Sequence, residues 1–285
     1  MELPYLTKKS VRSFIKAALS EDLGSGDHSS LGSIPESATK KAHLLIKGDG
    51  IIAGLDLAKE IFHYYDDSLL LTFSKKDGDS IENGEVAMSV EGKARSILAT
   101  ERLVLNCLQR MSAVATYTRY MKSLIKGSKA QLLDTRKTAP LFRLPEKWAV
   151  AIGGGQNHRF GLYDMIMLKD NHIDFAGGIK SAIRATKEYL INKDLNLKIV
   201  VEVRSLTELD ELIEETGVHR ALLDNMLPSD IRSAIRIIGG KFQTEASGGI
   251  TENNIAEIAE TGVDFISVGA LTHSYKSIDM SLKAI

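Results

Sequence analysis

Five cationic side chains lie close together in the middle of a chain that is nearly neutral overall. They are Arg136, Lys137, His158, Arg159 and Lys169. The full sequence of 285 residues has a formal net charge of −1. Side chains of these types donate charge-assisted hydrogen bonds to carboxylate and phosphate oxygens. The cluster predicts a pocket for a small, multiply anionic ligand and no nucleic-acid partner, because nucleic-acid surfaces spread basic charge along a face.

A second set of polar residues stands where apolar runs of the sequence end. The set consists of Asp134, Asp170, Asn171, Glu202, Asp224, Asn225, Glu245 and Ser247. The runs before them, such as residues 198–203 and 220–224, are typical of buried parallel strands. In parallel α/β folds the carboxyl ends of the strands converge on one face, where active sites lie. The pattern favours one shared functional site over independent solvated charges.

Two short segments of small residues supply a third signal. They are Ser247, Gly248 and Gly249, directly before a predicted helix, and Gly269, which lies between Val268 and Ala270 after the next predicted strand. Small residues let backbone N–H groups approach an anion, and loops after the late strands of α/β barrels commonly bind phosphate. We therefore expect a phosphate-binding site formed by these two segments.

The elements that must position these residues change character along the chain. The first hundred residues predict a helix followed by hairpins of an antiparallel sheet, with turn signals at residues 48–50 and 76–79. From about residue 130, apolar runs alternate with helical patterns, which predicts right-handed βαβ units. Six strand candidates indicate an α/β fold with an open, incomplete barrel of the TIM type. An open doubly wound sheet is the alternative.

Length and composition exclude several other classes of protein. The apolar and charged fractions are 44% and 26%, as in folded globular proteins. No apolar run reaches the length of a membrane span, and the N-terminal residues indicate an amphipathic helix and not a signal peptide. The single cysteine, Cys107, cannot form an intrachain disulfide, and we expect it to be buried in a cytoplasmic protein. No zinc-binding spacing of Cys and His is present.

Three motifs in a fixed order give the chain a specific family resemblance. They are DTRKT at residues 134–138, GGGQNHR at 153–159 and KDNH at 169–172. With further matches from SEDLGSGDHSS to VGALTHSYKSIDMSL, the sequence resembles the quinolinate phosphoribosyltransferase (carboxylating nicotinate-nucleotide pyrophosphorylase) family nearly end to end. The resemblance implies a pentosyltransferase that joins quinolinate to phosphoribosyl pyrophosphate. The products are nicotinate mononucleotide, CO2 and pyrophosphate, made with Mg²⁺ in de novo NAD biosynthesis.

The same resemblance implies an architecture. Residues 1–112 would form an N-terminal α/β sandwich domain, joined by the C-terminal tail 272–285, and residues 113–271 would form the barrel. The family is at least a homodimer in which the N-terminal domain of one subunit covers the barrel mouth of the other. Arg102 would therefore reach the site from the neighbouring subunit.

Site roles follow from the resemblance by motif. Quinolinate and the phosphates would be bound by Arg102, Thr135, Arg136, Lys137, His158, Arg159 and Lys169. Glu202 and Asp224 would hold Mg²⁺ or the ribose hydroxyls and stabilise positive charge at the ribose C1 carbon. The 5′-phosphate would lie on the backbone of residues 247–249 and 268–270. Lys137 and His158 are both candidates for a general acid, and solvent is a third source of the proton.

Some positions depart from the family pattern, and other functions compete. Leu141 and Phe142 follow Pro140 where relatives often have glycine, and Pro145 stands where leucine is common, which bears on the shape of the pocket entrance. One competing function is a paralogue similar to the molybdenum-associated ModD proteins. A second is a Schiff-base aldolase that uses Lys169, and a third is a non-catalytic phosphate-ligand sensor.

Overall fold

The computed structural model describes residues 3–285. In its first part, helices and short strands alternate up to one long helix. These elements are α1 (Lys8–Leu23), α2 (His28–Ser33), β1 (Thr39–Ile46), β2 (Gly50–Ile51), α3 (Leu55–Tyr65), β3 (Leu70–Phe73), β4 (Ser80–Ile81), β5 (Val86–Lys93) and α4 (Ala94–Leu124). The predicted opening helix is confirmed: Thr7 caps the N-terminus of α1, and Val11, Ile15 and Leu19 are buried along one stripe.

The remainder of the chain alternates parallel strands with helices. Its elements are β6 (Gln131–Leu133), α5 (Arg143–Gly153), β7 (Ile166–Leu168), α6 (Asp170–Ala176), α7 (Ile179–Asn192), β8 (Ile199–Val203), α8 (Leu206–Ile213), β9 (Arg220–Asp224), α9 (Pro228–Ile238), β10 (Gln243–Ser247), α10 (Ile255–Ala259), β11 (Phe265–Ser267), α11 (Ala270–His273) and β12 (Met280–Ala284). Within residues 3–285, no helix combines the length and the apolar character that crossing a membrane requires.

The chain separates into two compact units. The first comprises the residues up to Arg119 together with 138–154 and 271–285, and the second comprises 120–137 and 155–270. Helix α4 runs without a break through the predicted domain boundary at residues 112 and 113. The segment 138–154, which carries α5, clusters with the N-terminal residues. The predicted domain bounds themselves stay a prediction.

The first unit contains a four-stranded antiparallel sheet in the order β12-β1-β5-β3. Strand β12 from the C-terminus pairs with β1 over residues 42–46. The core includes α3 and α4, and Cys107 on α4 is fully buried, as predicted. Burial raises the pKa of the Cys107 thiol to about 12, which makes it a poor nucleophile at neutral pH.

The first unit also buries a carboxylate against an arginine. Glu146 on α5 is fully buried, and its Oε1 accepts hydrogen bonds from Arg110 Nε at 2.8 Å and Nη2 at 2.5 Å. Its Oε2 accepts the backbone N–H of Ala139 at 3.0 Å. The Arg110 guanidinium, which is one-third exposed, lies 5.2 Å from the ring centroid of Phe142 and 5.0 Å from that of Tyr275. Burial raises the pKa of Glu146 despite the hydrogen bond from Arg110.

The second unit is built on a six-stranded parallel sheet in the order β6-β11-β10-β9-β8-β7. From β7 to β11 each strand lies beside the one before it, so every crossover moves in the same direction. A doubly wound sheet reverses direction at a switch point, and this one does not. The prediction of an open α/β barrel is confirmed. The sheet opens between β6 and β7, where Gln156 makes a single parallel bridge with Leu133.

Candidate active site

The strand register of the second unit places the predicted strand-end residues at one edge of the sheet. Leu133 pairs with Ser267, and Ser247 pairs with Asp224. Glu202 pairs with Leu222, two residues before Asp224, and Leu168 pairs with Val201. The residues that follow β6, β7, β10 and β11 therefore emerge on the same side as the ends of β8 and β9. This is the convergence that the parallel pattern predicted.

The buried carboxylate of Asp134 organises the loop that carries two of the predicted cations. Asp134 Oδ1 accepts the backbone N–H of His158 at 2.8 Å, and Oδ2 accepts the side-chain amide of Asn157 at 2.6 Å. The backbone of Asp134 donates to Gln156 at 3.1 Å. Residues 156–158 are thus fixed beside the end of β6, and neither Asp134 nor Asn157 was assigned this role from sequence.

The imidazole of His158 is buried and faces protein groups on both sides. Its Nδ1 accepts the backbone N–H of Arg159 at 2.7 Å. Its Nε2 lies 3.3 Å from Glu245 Oε2. Because Nδ1 accepts a hydrogen bond, the proton of the neutral ring belongs on Nε2, the nitrogen that faces the carboxylate. The roles of His158 as substrate ligand and general acid stay predictions.

Glu245 lies inside β10 and is fully buried, although the sequence pattern placed it at a strand end. Its Oε2 lies 2.7 Å from Arg220 Nη1, and its Oε1 accepts the hydroxyl of Ser267. Burial alone raises the pKa of Glu245, but the hydrogen bond and charge of His158, the charge of Arg220 and the Ser267 hydroxyl together hold it below its ordinary value. Glu245 is therefore a carboxylate at neutral pH.

Arg159 and Arg136 contribute two guanidinium groups whose positive charges act on one another. Arg159 is buried, and its Nη1 donates to the Met165 carbonyl at 3.1 Å. Burial, and after it the charge of Arg136, lowers the pKa of Arg159 below its usual value. Arg136 and Lys137 are exposed at the end of β6. Two guanidinium groups that repel one another favour an anionic ligand, and their planar forks fit carboxylates.

Lys169 and Glu202 form an ion pair across β7 and β8. Lys169 Nζ lies 3.3 Å from Glu202 Oε2, and Glu202 Oε1 accepts the backbone N–H of Asp170 at 3.3 Å. The Lys169 side chain is 49% exposed. A Schiff-base lysine requires a desolvated pocket in which the amine is neutral. The exposure and pairing of Lys169 disfavour the aldolase alternative.

Asp224 and the Ser-Gly-Gly segment are held by Asn225. The side chain of Asn225 donates to Asp224 Oδ2 at 2.6 Å, and its backbone N–H donates to the Ser247 carbonyl at 2.8 Å. Asn225 has a positive φ of 54°, and Gly248 has one of 89°. A Cβ on Gly248 would lie 2.2 Å from Asn225 Oδ1, so this position requires glycine.

The predicted helix after Ser-Gly-Gly begins later than expected. Helix α10 starts at Ile255, six residues beyond Gly249, and it is five residues long. Turns at residues 251–254 separate the two, with Asn254 donating to the Gly249 carbonyl at 3.0 Å. The prediction that a helix N-terminus stands directly behind Gly249 is wrong. Gly269, by contrast, does precede α11 directly.

The sixth predicted cation, Arg102, belongs to the first unit. It lies on α4 and is exposed, as is Asn106 one turn later. Its role in a site completed by a second subunit stays a prediction. Thr135 lies in the second unit, where its hydroxyl accepts the backbone N–H of Lys137 at 3.0 Å.

Comparisons with known proteins identify the family and the relatives of this chain. The family model described as quinolinate phosphoribosyl transferase, C-terminal domain, matches residues 114–283, and the N-terminal domain model of the same family matches residues 27–112. A chloroplastic protein from Arabidopsis thaliana, named nicotinate-nucleotide pyrophosphorylase [carboxylating], is 46% identical over 96% of this chain and 82% of its own length. A Bacillus subtilis protein named as a probable enzyme of the same kind is 40% identical over 92% of this chain and 89% of its own.

A solved structure has the same fold. The chain superposes on NadC from Streptococcus pyogenes with a TM-score of 0.90 and 38% sequence identity, covering 98% of this chain and 97% of that one.

Proposed function

Since this chain belongs to the quinolinate phosphoribosyltransferase family, we propose that it transfers the phosphoribosyl group of phosphoribosyl pyrophosphate to quinolinate with loss of CO2, in NAD biosynthesis. The observation that carries the proposal is the cationic cluster at one sheet edge, in which Arg159 is buried within the electrostatic reach of Arg136. Relatives that are 46% and 40% identical carry names for this activity, which favours quinolinate over the substrate of a ModD-like paralogue.

The chemistry asks the protein mainly to bind and orient. The pyridine nitrogen of quinolinate bonds to the ribose C1 carbon, and pyrophosphate leaves with the electron pair of the broken bond. Loss of the carboxylate next to the nitrogen as CO2 leaves an electron pair on the ring carbon, which then takes a proton. Holding both substrates together removes much of the entropic barrier. Fixed cations stabilise the leaving pyrophosphate and the carbanion-like ring carbon.

Individual side chains have separate tasks in this proposal. Arg136 and Arg159 orient the two carboxylates of quinolinate by bidentate contacts, with Lys137 and Lys169 as compact charges beside them. Glu202 and Asp224, at the ends of adjacent strands, face the ribose and stabilise positive charge at C1. The backbone of residues 247–249 and 268–270 binds the 5′-phosphate.

Glu202 and Asp224 also fit a magnesium ion by their chemistry. Mg²⁺ prefers oxygen ligands and commonly takes one or two carboxylates together with substrate phosphates and water. Within residues 3–285, no group of three or more His, Cys, Asp and Glu side chains could hold a metal by itself. The ion would therefore enter with pyrophosphate oxygens, and bound there it would neutralise their charge. Titrating EDTA into the assay and restoring activity with Mg²⁺ tests this ligand set.

The first test replaces the cations of the sheet edge. We expect the wild type to release CO2 and pyrophosphate from quinolinate and not from nicotinate. Lys169→Ala and Arg136→Ala should each lower kcat/KM by about 100-fold or more, the usual effect of removing an electrostatic contact to the transition state. Both positions are partly exposed, so the circular dichroism spectrum should not change. Wild-type rates in either folded variant would refute the site.

A shared site between two subunits is the second part of the proposal. It rests on the exposed position of Arg102 on α4 and on the family resemblance. Arg102→Ala chains and Lys169→Ala chains, each inactive alone, should recover about half of wild-type activity in mixed dimers, since one of the two sites then carries both native residues. No recovery in mixed dimers verified by mass spectrometry would argue against sharing.

A cytoplasmic location completes the proposal, although plant relatives are named as chloroplastic.

A further inference from the structure

A buried carboxylate that the reaction itself does not use stands directly behind the cationic cluster. Glu245 has no exposure to solvent, yet it is placed within 3.3 Å of the imidazole of His158. A buried charge is costly unless it is paired and hydrogen-bonded. Here Arg220 balances the charge at 2.7 Å, and the Ser267 hydroxyl occupies the other oxygen.

The contact with His158 fixes the state of its ring. The Arg159 backbone N–H donates to Nδ1 at 2.7 Å, so protonating Nδ1 would place two donors against each other. A proton on Nε2 instead faces Glu245 Oε2, which lies 3.3 Å away. Asp134 holds the backbone N–H of the same residue at 2.8 Å.

The ring of His158 in turn holds Arg159, the residue to which the proposed function assigns the quinolinate carboxylates. The backbone N–H of Arg159 is bound to the ring, and its guanidinium is bound to the Met165 carbonyl at 3.1 Å. The Glu245 carboxylate, the imidazole of His158 and the backbone of Arg159 thus form a chain of contacts, and the Met165 carbonyl fixes the guanidinium at its end. Partners behind a ligating side chain commonly fix its orientation in this way.

We propose that Glu245 is a positioning residue which, through His158, holds Arg159 in the orientation that binds the quinolinate carboxylates. His158 then acts by positioning and not as a general acid. The inference rests on the proposed function for the identity of the ligand. The state of the His158 ring, however, can be measured without any turnover.

The first experiment reads the imidazole directly. In protein labelled with ¹⁵N-histidine, His158, assigned by loss of its signals in His158→Asn, should carry a proton on Nε2 and none on Nδ1, because Nδ1 accepts the backbone N–H of Arg159. Glu245→Gln should shift these signals toward a mixture of tautomers. Glu146→Gln is the matched control, because it neutralises another buried glutamate that contacts an arginine but no histidine. Its His158 signals should equal those of the wild type. A ring that is protonated on Nδ1 in the wild type overturns the inference.

The second experiment is a double-mutant cycle on kinetics. Glu245→Gln should raise KM for quinolinate about tenfold or more, the usual range for a partner behind a ligand-binding side chain, with KM for phosphoribosyl pyrophosphate changed less than twofold. In a His158→Asn background the same substitution should add nothing. Unchanged KM for quinolinate in folded Glu245→Gln, or fully additive effects, would overturn the positioning role.

The two arms separate the possible failures. If the wild type fails to convert quinolinate, the proposed function is wrong. The measurement of the His158 ring needs no turnover, so it still tests the contacts of Glu245 with His158. If Glu245→Gln does not fold, the charge-neutral double variant Arg220→Met with Glu245→Gln replaces it in both experiments, with the same expected results.

Discussion

Each of the two units buries a glutamate against an arginine, and the two sets of contacts are different. Glu146 in the first unit meets one guanidinium, which is one-third exposed, and the backbone of Ala139. Glu245 in the second unit meets the more deeply buried Arg220, together with Ser267 and His158. Burial raises the pKa of Glu146, whereas the partners of Glu245 outweigh its burial and lower the pKa.

Burial alone therefore does not decide the charge of a carboxylate. The number and placement of its donors do. Arg110 contacts Glu146 and the rings of Phe142 and Tyr275, and Glu146 accepts the backbone N–H of Ala139. Together these contacts hold residues 139–142 in place. Glu245 gathers donors from neighbouring strands and from the loop of the site. The first pair stabilises a local structure, and the second connects the barrel core to the ligand-binding edge.

Removing the arginine of each pair should give the largest effect on stability. Arg220→Met should lower the free energy of unfolding by about 3–5 kcal/mol, because a buried carboxylate loses its balancing charge. Arg110→Met should cost less, about 1–3 kcal/mol, because water can reach the vacated side of Glu146. Urea unfolding at pH 7 measures both. Equal losses, or a larger loss for Arg110→Met, would contradict the comparison.

The pH dependence of stability should have opposite signs at the two glutamates. The lowered pKa of Glu245 gives stability that is present above the unfolded value of about 4.3 and lost as pH falls through the folded pKa. The raised pKa of Glu146 gives the reverse: its contribution decreases as pH rises from the unfolded value through the folded one. The stability difference between wild type and Glu245→Gln should therefore shrink on acidification, and that for Glu146→Gln should not. Unfolding curves at pH values on both sides of about 4.3, extending well below it, test the signs.

The smallest expected effect on stability is at Leu141, in the segment 139–142 that Glu146 and Arg110 hold in place. Leu141 has a φ of 61° and a side chain that is 91% exposed. A left-handed conformation costs a bulky L-residue about 1–2 kcal/mol, and glycine avoids that cost. The greater conformational entropy of glycine in the unfolded chain offsets part of the gain in stability. Leu141→Gly should therefore raise stability by up to about 1 kcal/mol, measured as a higher Tm. The neighbouring exposed substitution Pro140→Ala is a control that relieves no such strain, and a lower Tm for Leu141→Gly would exclude strain at Leu141.

Several features of this protein were readable from its sequence alone. The alternation of apolar runs with amphipathic helices predicts the parallel sheet, because each pattern fixes which face is buried. Residues at the ends of those runs must then share an edge, which brings Lys169, Glu202 and Asp224 together. The order of the DTRKT, GGGQNHR and KDNH motifs identifies the family.

Other features depended on tertiary structure. The sequence marked Glu245 as one more polar strand-end residue, but its neighbours Arg220 and His158 come from segments 25 and 87 residues away and only folding joins them. The start of α10 at Ile255 and the left-handed backbone at Leu141 are likewise set by local turns and contacts that periodicity does not encode. Hydrophobic pattern determines which residues are buried, whereas the partners of a buried charge are chosen by the three-dimensional packing.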